Sequence, residues 1–135
     1  MKTKEYEQTI SELINLIDEG IYIVDGKGKG LFYSEKMADM EKIDITDVIG
    51  KEFHKAFPGV PIDESTMYKA LKKNEATMHK QQTYKNLYGK EITTINSTFP
   101  VKVDGEVVAA IEVAKDITNL QSMSNTILEL QEGKI

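Results

Sequence analysis

The apolar residues of this chain repeat first with a helical period, then with an extended one, then in short helical pieces, and finally in long strands. Glycine or proline marks most of these changes. In residues 4–18, Tyr6, Ile10, Leu13, Ile14 and Ile17 recur at helical spacing with acids on the other faces, and Gly20 is placed to stop the helix. Residues 21–24, Ile-Tyr-Ile-Val, are apolar on both faces and read as a strand. The turn segment at 25–30 and a second strand at 31–34 make a hairpin.

The glycines of that turn do not form a nucleotide-binding loop. Such a loop opens a helix whose N-terminus faces a pyrophosphate, whereas here an aromatic strand follows and the GxGxxG spacing is not met. From residue 35 to 74 short helical pieces are expected. Ser34 can cap a turn running through Met37 and Met40, and residues 44–50 read as a brief helix and stop. Asp63 is placed to cap a firmer helix carrying Met67, Ala70 and Leu71, with Lys72 and Lys73 at the end that favours cations.

Three strands are expected next, at residues 77–86, 91–101 and 106–115, with tight turns at Tyr88-Gly89 and Asp104-Gly105. A terminal helix starts at Thr118. Its Leu120, Met123, Ile127 and Leu130 are spaced as a coiled-coil seam, and Tyr6, Ile10, Leu13 and Ile17 form a similar seam at the other end. Either seam suits a partner helix or packing within the domain, and the late start of the second suggests a piece of a longer protein.

Composition removes several functions. The 135 residues suit one domain, and no cysteine is present, which excludes disulfides, thiolate metal sites and cysteine nucleophiles. All 17 basic residues are lysine, so bidentate guanidinium recognition is absent, and a net charge of -5 has the wrong sign for direct nucleic-acid binding. No stretch approaches the roughly 20 apolar residues of a membrane span. The charged N-terminus lacks a following apolar segment, so no signal peptide is expected and the cytoplasm is the default location. His54 and His79 have no metal-ligand spacing, and no Ser-His-Asp, HExxH or phosphate-loop pattern points to an enzyme.

The order of elements resembles the PAS sensory domain. The likeness is carried by Gly20-Ile21 through Val24-Asp25 with Gly28, Val48-Ile49-Gly50-Lys51, Gly89 before a strand ending at Pro100, and Asp116-Ile117-Thr118. Ser34 departs from the family's usual asparagine but still supplies a cap. The resemblance implies an α+β fold: a five-stranded antiparallel sheet with a helical middle in residues 21–117, flanked by helices at 1–20 and 118–135. Residues 91–96 with 112–116 are most similar to the N-terminal sensors of sigma-54-dependent transcriptional activators of the arginine-utilisation type. In such proteins an ATPase domain and a helix-turn-helix follow the sensor.

By the same resemblance, a small molecule binds between the sheet and the helical middle. If Asp104-Gly105 is a two-residue turn, Ser97 lies opposite Glu112 and Phe99 opposite Ala110. The position matching Ala109 lines the cavity in the family, so Thr94, Asn96 and Thr98 would face inward, joined by Tyr22, Gln82 and Tyr84. Buried hydroxyls and amides need partners, so a small polar metabolite, an amino acid among the candidates, or ordered water is implied. Hydrophobicity alone would instead turn the Ile95 and Phe99 face inward. Glu112 could meet a cationic ligand, but on this parity it faces the N-terminal helix, which favours a structural contact.

No cofactor is expected. Photoactive flavin needs a cysteine, and haem-binding members use a histidine on the long helix, where residues 63–74 have none. The leading expectation is therefore a homodimeric sensor module relaying through Asp116 and the exit helix. Two alternatives remain open: a ligand-free dimerisation module and the sensor of a histidine kinase.

Overall fold

The computed structural model describes residues 1–86 and 88–133. Residues 134 and 135 of the expected terminal segment lie outside the described residues. The chain begins with α1 (Thr3–Leu16) and β1 (Gly20–Asp25), followed by β2 (Gly30–Tyr33) and α2 (Glu35–Glu41). The helical middle continues through α3 (Phe53–Ala56) and α4 (Thr66–Lys73), with single turns of tighter helix at Ile45–Asp47 and Ile62–Glu64. Then come β3 (Thr77–Lys85), β4 (Glu91–Val103), β5 (Glu106–Asp116) and α5 (Thr118–Gln131). No described helix is long and apolar enough to cross a membrane.

The five strands form one antiparallel sheet in the order β2-β1-β5-β4-β3. The first hairpin thus lies beside the last strand. The core fills the space between one sheet face and the helical middle, with Val24, Met37, Val48, Ala70 and Ala110 at 2% exposure or less.

Local chemistry accounts for most boundaries. Ser34 caps α2 as expected, its Oγ accepting from Met37 N at 3.2 Å, and Asp44 caps its turn by accepting from Thr46 N at 2.9 Å. The cap of α4 is Ser65, not Asp63: Ser65 holds the extended backbone of a cap and accepts from Tyr68 N at 3.1 Å, while Asp63 lies in the preceding turn. Gly20 does not end α1, which stops at Leu16. It opens β1, where a Cβ would sit 2.8 Å from Met37 Sδ and 2.9 Å from Met40 Cε. Gly20 thus packs against the ends of two methionine side chains and does not terminate the helix.

The β4–β5 hairpin corrects the expected register. Asp104 and Gly105 both have positive φ, 51° and 80°, as a two-residue turn requires, and Val103 pairs with Glu106. Two pairs later the ladder slips. Lys102 pairs with Val107 but Val101 pairs with Ala109, so Val108 is an extra residue in a β-bulge. Beyond it Ser97 faces Val113 instead of Glu112, Phe99 faces Ile111 instead of Ala110, and Thr98 faces Glu112. One inserted residue reverses the faces of β5. The inward residues are Ala110, Glu112 and Ala114, not Ala109, Ile111 and Val113.

Helix α1 buries only Ile14. Asn15 Oδ1 accepts from Glu35 N at 3.0 Å, and Asp18 meets Lys36 at 3.4 Å, so the helix is tethered to the start of α2. A cleft lined by Ile14 and Asn15 with Leu31, Phe32, Ile45 and Ile49 places it beside the β2 edge. The expected contact between Glu112 and this helix is not made, because the bulge turns Glu112 to the other side of the sheet.

Candidate functional site

A cavity of about 690 Å³ lies between the inner sheet face and the helical middle. That volume suits a small ligand. One wall is aromatic: the Tyr22 and Tyr33 rings meet edge to face at 5.3 Å, and Phe57 packs 5.7 Å from Tyr22. Tyr22 and Tyr33 are cross-strand partners of the first hairpin, which is why both point inward.

Of the residues expected to meet a ligand, Tyr22, Gln82, Tyr84 and Asn96 line this cavity. Thr94 and Thr98 share their face but are fully buried in the wall. Thr98 Oγ1 donates to Thr66 Oγ1 at 2.9 Å, which ties β4 to α4. Asn96 Nδ2 donates to Gln82 Oε1, which links the two amides across β3 and β4. Thr94 Oγ1 lies near enough to Tyr84 to influence its hydroxyl, yet makes no hydrogen bond of ordinary geometry. The hydroxyls of Tyr22 and Tyr33 are likewise buried without a partner among the described residues. An unmet buried hydroxyl costs on the order of 1–3 kcal/mol, and three of them lie beside this one cavity.

Two carboxylates complete the site. Glu41, at the end of α2, accepts from Tyr84 Oη at 2.7 Å. Its removal from water raises its pKa, and the Tyr84 hydrogen bond works the other way. Glu112 lines the cavity from β5, and no hydrogen bond or ion pair reaches its carboxylate among the described residues. Burial, and then the charge of Glu41, push its carboxyl up to about 7. The phenols of Tyr22, Tyr33 and Tyr84 are raised, chiefly by burial, and stay neutral.

Tyr33 and Glu41 were not among the expected site residues. Tyr33 could have been found by pairing the first hairpin, since it stands opposite Tyr22. Nothing local marks Glu41, whose partner Tyr84 is 43 positions away. His54 borders the cavity with Nδ1 3.7 Å from Glu52, whereas His79 sits at the irregularity of β3 with φ 51°. No group of three or more His, Cys, Asp or Glu among the described residues could hold a metal ion.

The expected dimer and signalling residues lie away from the cavity. Tyr6, Ile10, Leu13 and Ile17 on or beside α1, and Leu120, Met123 and Ile127 on α5, are all exposed. Asp116 organises the junction: its Oδ1 accepts from Thr118 N at 2.9 Å and from Thr118 Oγ1 at 2.6 Å. Thr93 N donates to Thr118 Oγ1 at 3.0 Å, and Ile117 N donates to Thr93 O at 2.9 Å. The start of α5 is thereby bound to the residue next to Thr94.

Comparison with known proteins agrees with this architecture. The chain is 35% identical over 111 residues to the transcriptional activator RocR of Bacillus subtilis (strain 168), a match covering 82% of this chain and 24% of RocR. It thus spans about a quarter of that relative's length. Among solved structures, the PAS domain of Bordetella pertussis BvgS matches with a TM-score of 0.68 at 20% identity, covering 96% of this chain and 98% of that one. An RNA-binding light-oxygen-voltage receptor matches with a TM-score of 0.68 at 15% identity, covering 98% of this chain and 39% of the receptor. These two likenesses bear on the fold alone. A family described as the PAS fold matches residues 14–122, and with the strand order, the helical middle and the cavity between them, this chain belongs to the PAS family.

Proposed function

We propose that this domain is the cytoplasmic sensor of a sigma-54-dependent transcriptional activator, binding a small polar molecule in the cavity and passing the result to an ATPase and DNA-binding domain of the same polypeptide. The observation that carries the reading is the set of three unpartnered buried hydroxyls, Tyr22, Tyr33 and Thr94, beside a cavity of about 690 Å³. Similarity to RocR supports the regulatory setting. The role is binding and relay, not catalysis.

Occupancy of the cavity would reach α5 through β4. Thr94 is buried on the cavity-facing side of β4, and its neighbour Thr93 donates from its backbone N to Thr118 Oγ1 and accepts from Ile117 N through its carbonyl oxygen. A ligand shifts the position of α5 only so far as it binds one arrangement better than the other. In a homodimer, the exposed seam of Leu120, Met123 and Ile127 would carry that shift to the partner. Native mass spectrometry of purified protein, with thermal shift against amino acids, amines and organic acids, tests the reading. A co-purified small molecule, or a rise in melting temperature with one class, is expected.

The exposed seams favour one second reading, a dimerisation module without a ligand. A stable dimer with no co-purified molecule and no thermal shift would support it.

A further inference from the structure

We propose that residues 58–64 form a lid that closes the mouth of the cavity against the edge strand β3, with Val60 turning inward and Glu64 pairing with Lys85. The inference concerns access to the cavity and does not depend on what the cavity takes.

Exposure locates the mouth. Most residues lining the cavity are buried or half-buried. Those open to solvent are Pro58, Gly59, Val60 and Glu64 on one side and Thr83 and Lys85 on the other. The first four belong to the stretch between α3 and α4, and the last two to β3, an edge of the sheet. The cavity therefore meets water between that stretch and β3.

The stretch is held only at its ends. Phe57 N donates to Phe53 O at 2.9 Å, and the Phe57 ring packs 5.7 Å from Tyr22 and 6.2 Å from Tyr33. Ser65 is buried and caps α4. Between these anchors every residue of 58–64 is exposed. Their backbone hydrogen bonds among the described residues are local, from Val60 N to Phe57 O at 3.5 Å, from Glu64 N to Pro61 O at 3.0 Å and from Ser65 N to Ile62 O at 3.2 Å. None of their side chains joins a hydrogen bond or ion pair among the described residues. A Cβ at Gly59 would meet nothing within 4 Å. A segment with so few buried contacts and no strand partner rearranges at low cost in free energy. Pro58 and Pro61 fix two of its φ angles, so it turns as a stiff piece about Phe57 and Ser65.

Two features of the open lid favour closure. Val60 and Ile62 are 52% and 42% exposed, and a valine at the rim of a cavity walled by Phe57, Tyr22 and Met67 gains by leaving water. Glu64 and Lys85 carry opposite charges on opposite lips of the mouth, and neither is ion-paired among the described residues, although Glu91 stands across from Lys85 on β4. An exposed ion pair by itself adds little. Burial of Val60 thus drives the movement, and the Glu64 and Lys85 charges set where the lid lands.

The chain has no cysteine, so nitroxide labels attach only where cysteines are introduced. Asp63→Cys on the lid and Thr83→Cys on β3, both at exposed positions, allow double electron–electron resonance on the intact protein. Two distances are expected. The ratio of the shorter to the longer should fall about two- to fivefold in Glu64→Gln and in Lys85→Gln, and return in the charge exchange Glu64→Lys with Lys85→Glu. Val60→Ser should lower it as well. A single distance that these variants leave unchanged overturns the lid. A shorter distance whose share ignores every charge variant overturns the pairing of Glu64 with Lys85. Either failure leaves the sensory reading standing, because native mass spectrometry and thermal shift decide that separately.

Discussion

Thr98 and Glu112 stand opposite each other on β4 and β5, and both face the helical middle, because Val108 is an extra residue in the ladder. The tight turn at Asp104-Gly105 would by itself pair Glu112 with Ser97 and turn it to the other face. A single bulged residue thus decides whether Glu112 faces the cavity.

That acid gives a pH-dependent stability. Glu112 has its pKa raised in the folded protein from 4.5 to about 7, so the folded state holds the extra proton across that interval. Its contribution to stability is fully present below the unfolded value and is lost as pH rises through about 7, a difference of roughly 3 kcal/mol. Glu112→Gln removes this loss. Urea denaturation of the ligand-free protein should show the variant gaining on the natural chain as pH increases from about 5 to 8. Equal pH profiles would count against a buried, unpaired Glu112.

Ser34 is the polar residue whose loss should cost most in stability. Its Oγ is fully buried and accepts from both Ile21 N at 2.9 Å and Met37 N at 3.2 Å, joining β1 to the cap of α2. Ser34→Ala leaves two donors unmet and is expected to destabilise by about 2–3 kcal/mol in chemical denaturation.

Gly30 and Gly59 should respond oppositely to alanine. A Cβ on Gly30 would lie 2.5 Å from the carbonyl oxygen of Val48, a backbone atom that cannot swing aside, whereas nothing lies within 4 Å at Gly59. Gly30→Ala is expected to cost about 2–3 kcal/mol and Gly59→Ala less than about 0.5 kcal/mol. Paired denaturation curves measure both.

The α5 seam separates association from folding. Leu120 and Met123 are 60% and 62% exposed, so Leu120→Glu with Met123→Glu should change the domain's own stability by less than about 0.5 kcal/mol. If the seam joins two copies, sedimentation will show a dimer converted to monomer. An unchanged sedimentation coefficient would remove α5 from the interface.

What could be read locally was read correctly where neighbours in sequence decide it. The order of elements, the turn at Asp104-Gly105, the Ser34 cap and the position of α5 follow from periodicity and side-chain chemistry over a few residues. Close neighbours compete less predictably at Ser65, which took the cap from Asp63.

The amino-acid sequence by itself determined the repertoire of this protein: lysine as the only strong base, no thiol, two short strands, a helical middle, three long strands and two apolar seams. Only the tertiary structure decided which face of β5 looks inward, that Gly20 serves packing against Met37 and Met40, and that Glu41 joins Tyr84 at the cavity. Alternation with a period of two is reversed by one extra residue, and whether a residue is extra is set by the partner strand. A carboxylate becomes part of a site in the same way, through groups brought to it by distant stretches of chain.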